Sequence, residues 1–235
     1  MPSNVDLKIL LELNSLVPQS HLGAKLFYFP ADNALVRGFP IFFPLSALWF
    51  SPTWRSQRGR ILIGLLTGCV ATIFSVWLQS HTHFNVRPFL DPNLHLRGME
   101  LITRTGWDHL CSFPSDTATL LFAFSTVVFL QHKLAGVIAF IWSFFISGII
   151  RVAVGWHYPS DVAAAFILGC CSVLLLTRVR YLTHFVDELL QRAEPRIYIV
   201  HALMFFLLAD ALSLFYSGLQ FLHGIRDIAH FILQR

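Results

Sequence analysis

Arg151-Val152-Ala153-Val154-Gly155-Trp156-His157-Tyr158-Pro159-Ser160-Asp161 stands between two long apolar runs, 134–150 and 162–177. Runs of that composition approach the length of membrane-crossing helices, so the stretch between them is a turn at a membrane face. Ionisable groups in such a place are costly to desolvate and mark function by default. Arg151 keeps its charge and offers a planar fork of donors suited to phosphate oxygens. His157 has the chemistry of a nucleophile, a base or a ligand. Asp161, four residues on, is spaced to hold one ring nitrogen of His157 and fix its tautomer, as a triad acid does. Pro159 suits the first turn of a helix, which puts His157 in the turn before that helix rather than on its face. Plain interfacial anchoring uses the same residue types, and this stretch alone does not separate the two readings.

The rest of the composition agrees with a membrane setting. The mean hydropathy of the 235 residues is +0.63 and only 13% are charged, about half the share of a soluble domain. This is an all-α integral membrane chain. The net charge of +4 is modest and no Lys/Arg run is present, so nucleic acid is excluded as a partner. The four cysteines have no zinc spacing, and Cys69, Cys170 and Cys171 fall inside apolar runs, so no metal site and no disulfide is expected. Asp6, Lys8 and Glu12 interrupt any signal-peptide core near the N-terminus.

Residues 5–16 place apolar side chains at helical spacing with charges opposite, which predicts an interfacial amphipathic helix too short to span. Residues 17–37, with Pro18, Pro30 and Asp32, read as an irregular or re-entrant connection. Six spans follow at about 38–54, 61–83, 115–131, 134–153, 160–177 and 197–220. The organisation is therefore 1–37 interfacial helix and connection, 38–226 six-span membrane domain, and 227–235 a short C-terminal tail.

Span parity puts the connections 51–60 and 178–196, together with Lys133, at one end of the bundle. The long connection 84–113, the Arg151–Asp161 turn and both termini lie at the other. Eight Lys and Arg fall on the first side and nine on the second, so the raw count decides nothing. Setting aside Arg87 and Arg151 as ligand groups, and Lys8 and Lys25 as interfacial, leaves eight against five. That balance makes the first side cytoplasmic.

Two further polar clusters share the face of the Arg151–Asp161 turn. Asn85-Val86-Arg87-Pro88 ends the second span, and Ser112-Phe113-Pro114-Ser115-Asp116-Thr117-Ala118 opens the third. Pro114-Ser115-Asp116 and Pro159-Ser160-Asp161 are the same tripeptide at two helix starts. Each alone is an ordinary helix opening: proline in the first turn, a hydroxyl, then an acid against the dipole. Beside Arg87 and Arg151, the free backbone N–H groups of the first opening and the Ser115 hydroxyl make an anion site.

The co-facing set resembles the three-part signature of the type 2 phosphatidic acid phosphatase superfamily of membrane lipid phosphatases. That family's third motif is Ser-Arg, five residues, His, three residues, Asp. Here it reads Ile150-Arg151, five residues, His157, three residues, Asp161. The second is Pro-Ser-Gly-His or Pro-Ser-Asp-His, here Pro114-Ser115-Asp116-Thr117. The first is Lys, six residues, Arg-Pro; Arg87-Pro88 match, with Ser80 at the lysine position. The resemblance covers roughly residues 60–178. It implies a six-helix bundle with its site at the extracytoplasmic face of a bacterial cytoplasmic membrane. It further implies that His157 attacks phosphorus to form a phosphohistidine and Asp161 orients His157. Arg87, Arg151, Ser115 and the backbone N–H groups near Asp116 and Thr117 hold the phosphoryl oxygens. The arginines neutralise the developing charge, so no metal or other cofactor is implied. The vanadium haloperoxidases share this architecture but are soluble, unlike this chain.

Two departures matter. Ser80 removes a phosphate cation, with Arg97 and Arg104 as the candidates to replace it. Thr117 stands where the family has the histidine that protonates the leaving group, a contribution of roughly 10²–10⁴-fold. Three readings follow: His109 or Asp108 supplies the proton, the substrate is a diphosphate whose leaving group needs little help, or the protein binds a lipid phosphate without much catalysis. Asp210 in the sixth span reads as a buried structural acid, and His81 and His83 as interfacial. The expected function is hydrolysis of a polyprenyl diphosphate or related lipid phosphate. The rivals are a lipid-to-lipid phosphotransferase and a silent lipid-phosphate binder.

Overall fold

The computed structural model describes residues 2–82, 84–99 and 111–213, and every regular element among them is helical. The order is α1 (Asn4–Asn14), α2 (His21–Asp32), α3 (Ala34–Phe50), α4 (Arg58–His81), α5 (Asp116–Gln131), α6 (Lys133–Phe144), α7 (Arg151–Ala153), α8 (Pro159–Leu176), α9 (Arg180–Arg192) and α10 (Ile197–Leu212). A π-helical segment, Phe145–Ile150, joins α6 to α7, so the fourth crossing runs unbroken over Lys133–Ala153. Five helical stretches are long and apolar enough to cross a membrane, and α5 is a shorter apolar helix. With the interfacial α1, this is the expected all-α six-helix bundle.

The shortest crossing is the most enclosed. α5 packs against α3, α4, α6 and α8, and every residue from Thr117 to Val128 is buried. Being apolar all round, it is a central helix rather than a surface one. Close approach to it needs small residues: a Cβ on Gly169 of α8 would come within 2.6 Å of the Thr119 carbonyl oxygen. The outer helices turn large apolar side chains outward, among them Phe43, Val70, Ile73, Ile141, Leu175, Leu203 and Phe206, as a lipid-facing surface requires.

Helix ends follow the local sequence. Ser115 caps α5 by accepting the Ala118 N–H, and Pro159 opens α8. Residues 17–37 correct the expectation of an irregular connection. Ser20 caps α2 by accepting the Gly23 N–H, and Asn33 caps α3 by accepting the Val36 N–H. Pro30 lies inside α2, three residues before Asn33, and costs the helix one main-chain N–H bond without ending it. α3 accordingly starts at Ala34 rather than 38, within the first candidate crossing, His21–Phe50. The connection 178–196 also contains a helix, α9, whose Tyr181, Phe185 and Leu189 are exposed. The last residues of the sixth expected span and the tail 227–235 lie outside the described residues.

The two ends of the bundle are chemically distinct. At one end Arg55 pairs with Glu194 at 2.8 Å, so 51–60 and 178–196 do meet. At the other end, the three polar clusters and α1 come together.

Candidate active site

The Arg151–Asp161 stretch folds as expected. Arg151 lies on α7, His157 in the five-residue turn 154–158, and Asp161 in the first turn of α8. The wider π-helical turn just before Arg151 re-aims the chain into the site, a use typical of such segments. Gly155 has φ +81°, where a side chain is strained, and its carbonyl accepts the Phe89 N–H at 2.9 Å. That bond ties the turn to the segment just after Arg87-Pro88.

His157 is fully buried. Its Nδ1 is 3.0 Å from the Ser112 carbonyl oxygen, and its Nε2 is 3.4 Å from Arg151 Nη2. Burial, then the charges of Arg87 and Arg151, hold its pKa well below the ordinary histidine value, although the Ser112 carbonyl opposes them. A neutral imidazole among fixed cations suits attack on an anion. Asp161 is placed differently from a direct triad acid. Its Oδ2 accepts the Tyr158 N–H at 2.8 Å and lies 3.9 Å from His157 Nδ1. That is ion-pair range, outside hydrogen-bond range. The residue holding the ring nitrogen is Ser112, through a backbone atom that side-chain reasoning does not reach.

Arg151 is 6% exposed, with its guanidinium 4.1 Å from the Trp156 ring centroid. Arg87 donates through Nη2 to Gln79 Oε1 at 3.2 Å. The buried Nε atoms of both arginines have no partner. Such donors are costly to leave unmade, and an anion between them would remove that cost. Ser115 is fully buried; its Oγ caps α5 and its N–H bonds the Asp161 carbonyl at 3.3 Å. Asp116 and Thr117 supply the first amides of α5, which a helix cannot satisfy itself. The Thr117 hydroxyl is buried without a partner.

Gln79 was not singled out in the sequence, yet it joins two of the clusters. Its Nε2 donates to the Pro114 carbonyl at 2.6 Å while its Oε1 takes the Arg87 bond. Ser75 adds a second bond to the same carbonyl at 3.1 Å. The available signal was a lone buried glutamine late in an apolar span. Ser80, next in sequence, is exposed and bonds the Trp77 carbonyl at 2.8 Å, so it brings nothing to the site. Arg97 is also exposed; it donates to the Ser15 carbonyl at 2.8 Å and does not replace the missing cation. His81 is exposed and stacked on Trp77, and Asp210 is half-buried on α10. His83, Arg104, Asp108 and His109 lie outside the described residues.

The model of the PAP2 superfamily matches residues 60–185, which contain all three clusters. The bacitracin transport permease protein BcrC of Bacillus licheniformis is 31% identical over 157 residues, 65% of this chain and 72% of that protein. The undecaprenyl-diphosphatase BcrC of Bacillus subtilis (strain 168) is 28% identical over 148 residues, 61% and 69% of the two chains. No solved structure matches. The match over more than half the chain, together with these relatives, places the protein among phosphatase hydrolases, and the chain belongs to the PAP2 superfamily.

Proposed function

We propose that the protein hydrolyses a polyprenyl diphosphate through a phosphohistidine on His157. The carrying observation is the orientation of the ring: Nδ1 faces the Ser112 carbonyl and Nε2 faces Arg151. A carbonyl only accepts, so Nδ1 holds the proton and Nε2 the lone pair. In the proposed reaction Nε2 attacks the terminal phosphorus. The P–O bond to the lipid phosphate breaks, and its electron pair leaves on that oxygen. Water then attacks the phosphohistidine and releases inorganic phosphate. Arg87, Arg151, Ser115 and the Asp116 and Thr117 amides hold the oxygens where charge develops. Asp161 steadies the turn that presents His157. The name of the Bacillus subtilis relative, an undecaprenyl-diphosphatase, supports a long-chain diphosphate as substrate.

With Arg87, Arg151, Lys8 and Lys25 set aside, the loop charges support a site facing away from the cytoplasm, and the Bacillus relatives support a bacterial membrane. Phosphate release from a panel of lipid mono- and diphosphates, native protein against His157→Ala, tests the activity. Release from no lipid phosphate would overturn it. One rival keeps a specific support. Ser80 brings no cation and Thr117 no acid, which is what a silent lipid-phosphate binder would show. Tight binding without release distinguishes it.

A further inference from the structure

Residues 6, 10 and 14 lie one above another on a single stripe of α1, since helix positions four apart share a face. All three are buried: Asp6 is 7% exposed, Leu10 0% and Asn14 5%. Leu10 packs in one cluster with Val152, Tyr158 and Val162, which flank His157 on both sides. The polar residues at either end of the stripe reach the main chain of the same region. Asp6 Oδ1 accepts the Ser160 N–H at 2.9 Å. Asn14 Nδ2 donates to the Ala153 carbonyl at 2.8 Å. Ala153 closes α7 and Ser160 lies in the first turn of α8, so the two bonds straddle the turn 154–158. They stand about 12 Å apart along α1, at 1.5 Å per residue.

Both anchors are themselves fixed. Asp6 Oδ2 accepts from Ser3 N at 3.1 Å and Ser3 Oγ at 2.8 Å, closing the N-terminal cap of α1. Asn14 also bonds the backbone of Arg97 through both its amide atoms, at 3.0 and 3.2 Å. Burying a carboxylate and an amide on an interfacial helix is costly unless they are bonded. Away from that stripe α1 exposes Val5, Ile9 and Leu11, suited to the membrane surface.

We propose that α1 is a clamp on the catalytic turn, and that Asp6 and Asn14 are positioning residues that set the attack geometry of His157. This rests on the reading of His157 as nucleophile. The clamp lies outside the 60–185 match, so it is argued from this chain's own residues.

The test uses the full chain in lipid nanodiscs, with Asp6→Ala, Asn14→Ala and the conservative Asp6→Asn. Two quantities are measured: kcat and KM for a polyprenyl diphosphate, and amide hydrogen exchange of peptides covering 153–161 and α5. Misplacing a reacting group costs up to about 100-fold, so each alanine variant should lose about tenfold in kcat with KM little changed. Exchange in 153–161 should rise about tenfold while α5 is unaffected, as for a local opening. Asp6→Asn keeps an acceptor for Ser160 but gives up the one for the Ser3 N–H, and should lose less than Asp6→Ala in both quantities. Native kcat and native exchange in the alanine variants would overturn the clamp. So would equal acceleration in α5, which marks general destabilisation. If one alanine variant fails to fold, the other decides alone. If native protein cleaves no lipid phosphate, the reading of His157 fails, and the exchange rates alone decide whether α1 holds the turn.

Discussion

The Nδ1 nitrogen of His157 lies 3.0 Å from the carbonyl oxygen of Ser112, 45 residues away. This contact joins the second polar cluster to the third and determines which nitrogen is free. Ser112 in turn donates its N–H to the Asn85 carbonyl at 3.0 Å, which brings in the first cluster. One residue therefore couples all three, and it leaves Nε2 of the proposed nucleophile facing Arg151.

His157→Ala should abolish turnover while leaving helix content and membrane insertion unchanged. Among the described site residues no other side chain is placed as a nucleophile. Phosphate release measured beside circular dichroism checks this. Native rates in the variant would end the phosphohistidine mechanism.

Asp161→Asn separates charge from positioning. The asparagine keeps an acceptor for the Tyr158 N–H, now at 2.8 Å from the carboxylate, but removes the charge 3.9 Å from Nδ1. A triad acid bonded directly to its histidine is worth about 10⁴-fold. The longer approach here implies less, about 10–100-fold in kcat, with KM little changed. A loss as large as that of His157→Ala would show that Asp161 closes onto the ring during turnover.

The pH dependence follows from burial and the two arginines. They hold the His157 pKa well below its ordinary value, near 6.5 when exposed. The lone pair on Nε2 should therefore survive acidification, and kcat should stay level as pH falls through 6.5. Stability moves the other way. Above pH 6.5 the group is neutral in both folded and unfolded chains. Below it the unfolded chain takes up a proton that the folded chain refuses, so folding stability falls. A kcat profile and a melting series over the same pH range check both signs. A kcat inflection at 6.5 would mean that His157 ionises like a solvent-exposed histidine.

Gln79→Leu should loosen two clusters at once. It removes the Arg87 bond and one of two bonds to the Pro114 carbonyl. Leaving a buried partner unsatisfied costs about 1–3 kcal/mol. Arg87 should then hold phosphate less well and KM should rise about tenfold, the equivalent of about 1.4 kcal/mol. Steady-state kinetics with the same lipid panel checks it; an unchanged KM would relieve Gln79 of any part in binding.

The crossings were legible because apolar length carries their signal, and the bounds of α5 and α8 fell within one residue of expectation. The convergence of Arg87, Ser115 and Arg151 at one end is legible because spacing and span parity carry it. Contacts made by backbone atoms were not. Ser112 acts through its carbonyl, and nothing in a side-chain pattern marks that. Gln79 belongs to no pattern that marks it in the sequence. Asp6 and Asn14 looked like the solvated side of an amphipathic helix, because periodicity cannot tell water from a buried main chain. α2 is hidden in the sequence because Pro30 signals a break, whereas the flanking caps Ser20 and Asn33 sustain the helices on either side.

Thr117 is the sharpest departure from the family pattern, and its consequence is chemical. A lipid monophosphate must expel an alkoxide, whose conjugate acid has a pKa near that of water, about 16. A threonine hydroxyl gives that step no general acid, and here the hydroxyl is buried with no partner. A diphosphate expels a lipid phosphate, whose second pKa is about 6 as for other phosphate monoesters. It leaves as an anion at neutral pH with little need of a proton. The native protein should therefore cleave diphosphates faster than monophosphates. Thr117→His should raise monophosphate hydrolysis more than diphosphate hydrolysis, by up to the 10²–10⁴-fold typical of general acid catalysis. The measurement is the ratio of the two rates in both proteins. Equal native rates would mean that another acid is present, with His109 first to be replaced. A variant that folds but gains on neither substrate would show that position 117 does not face the leaving group.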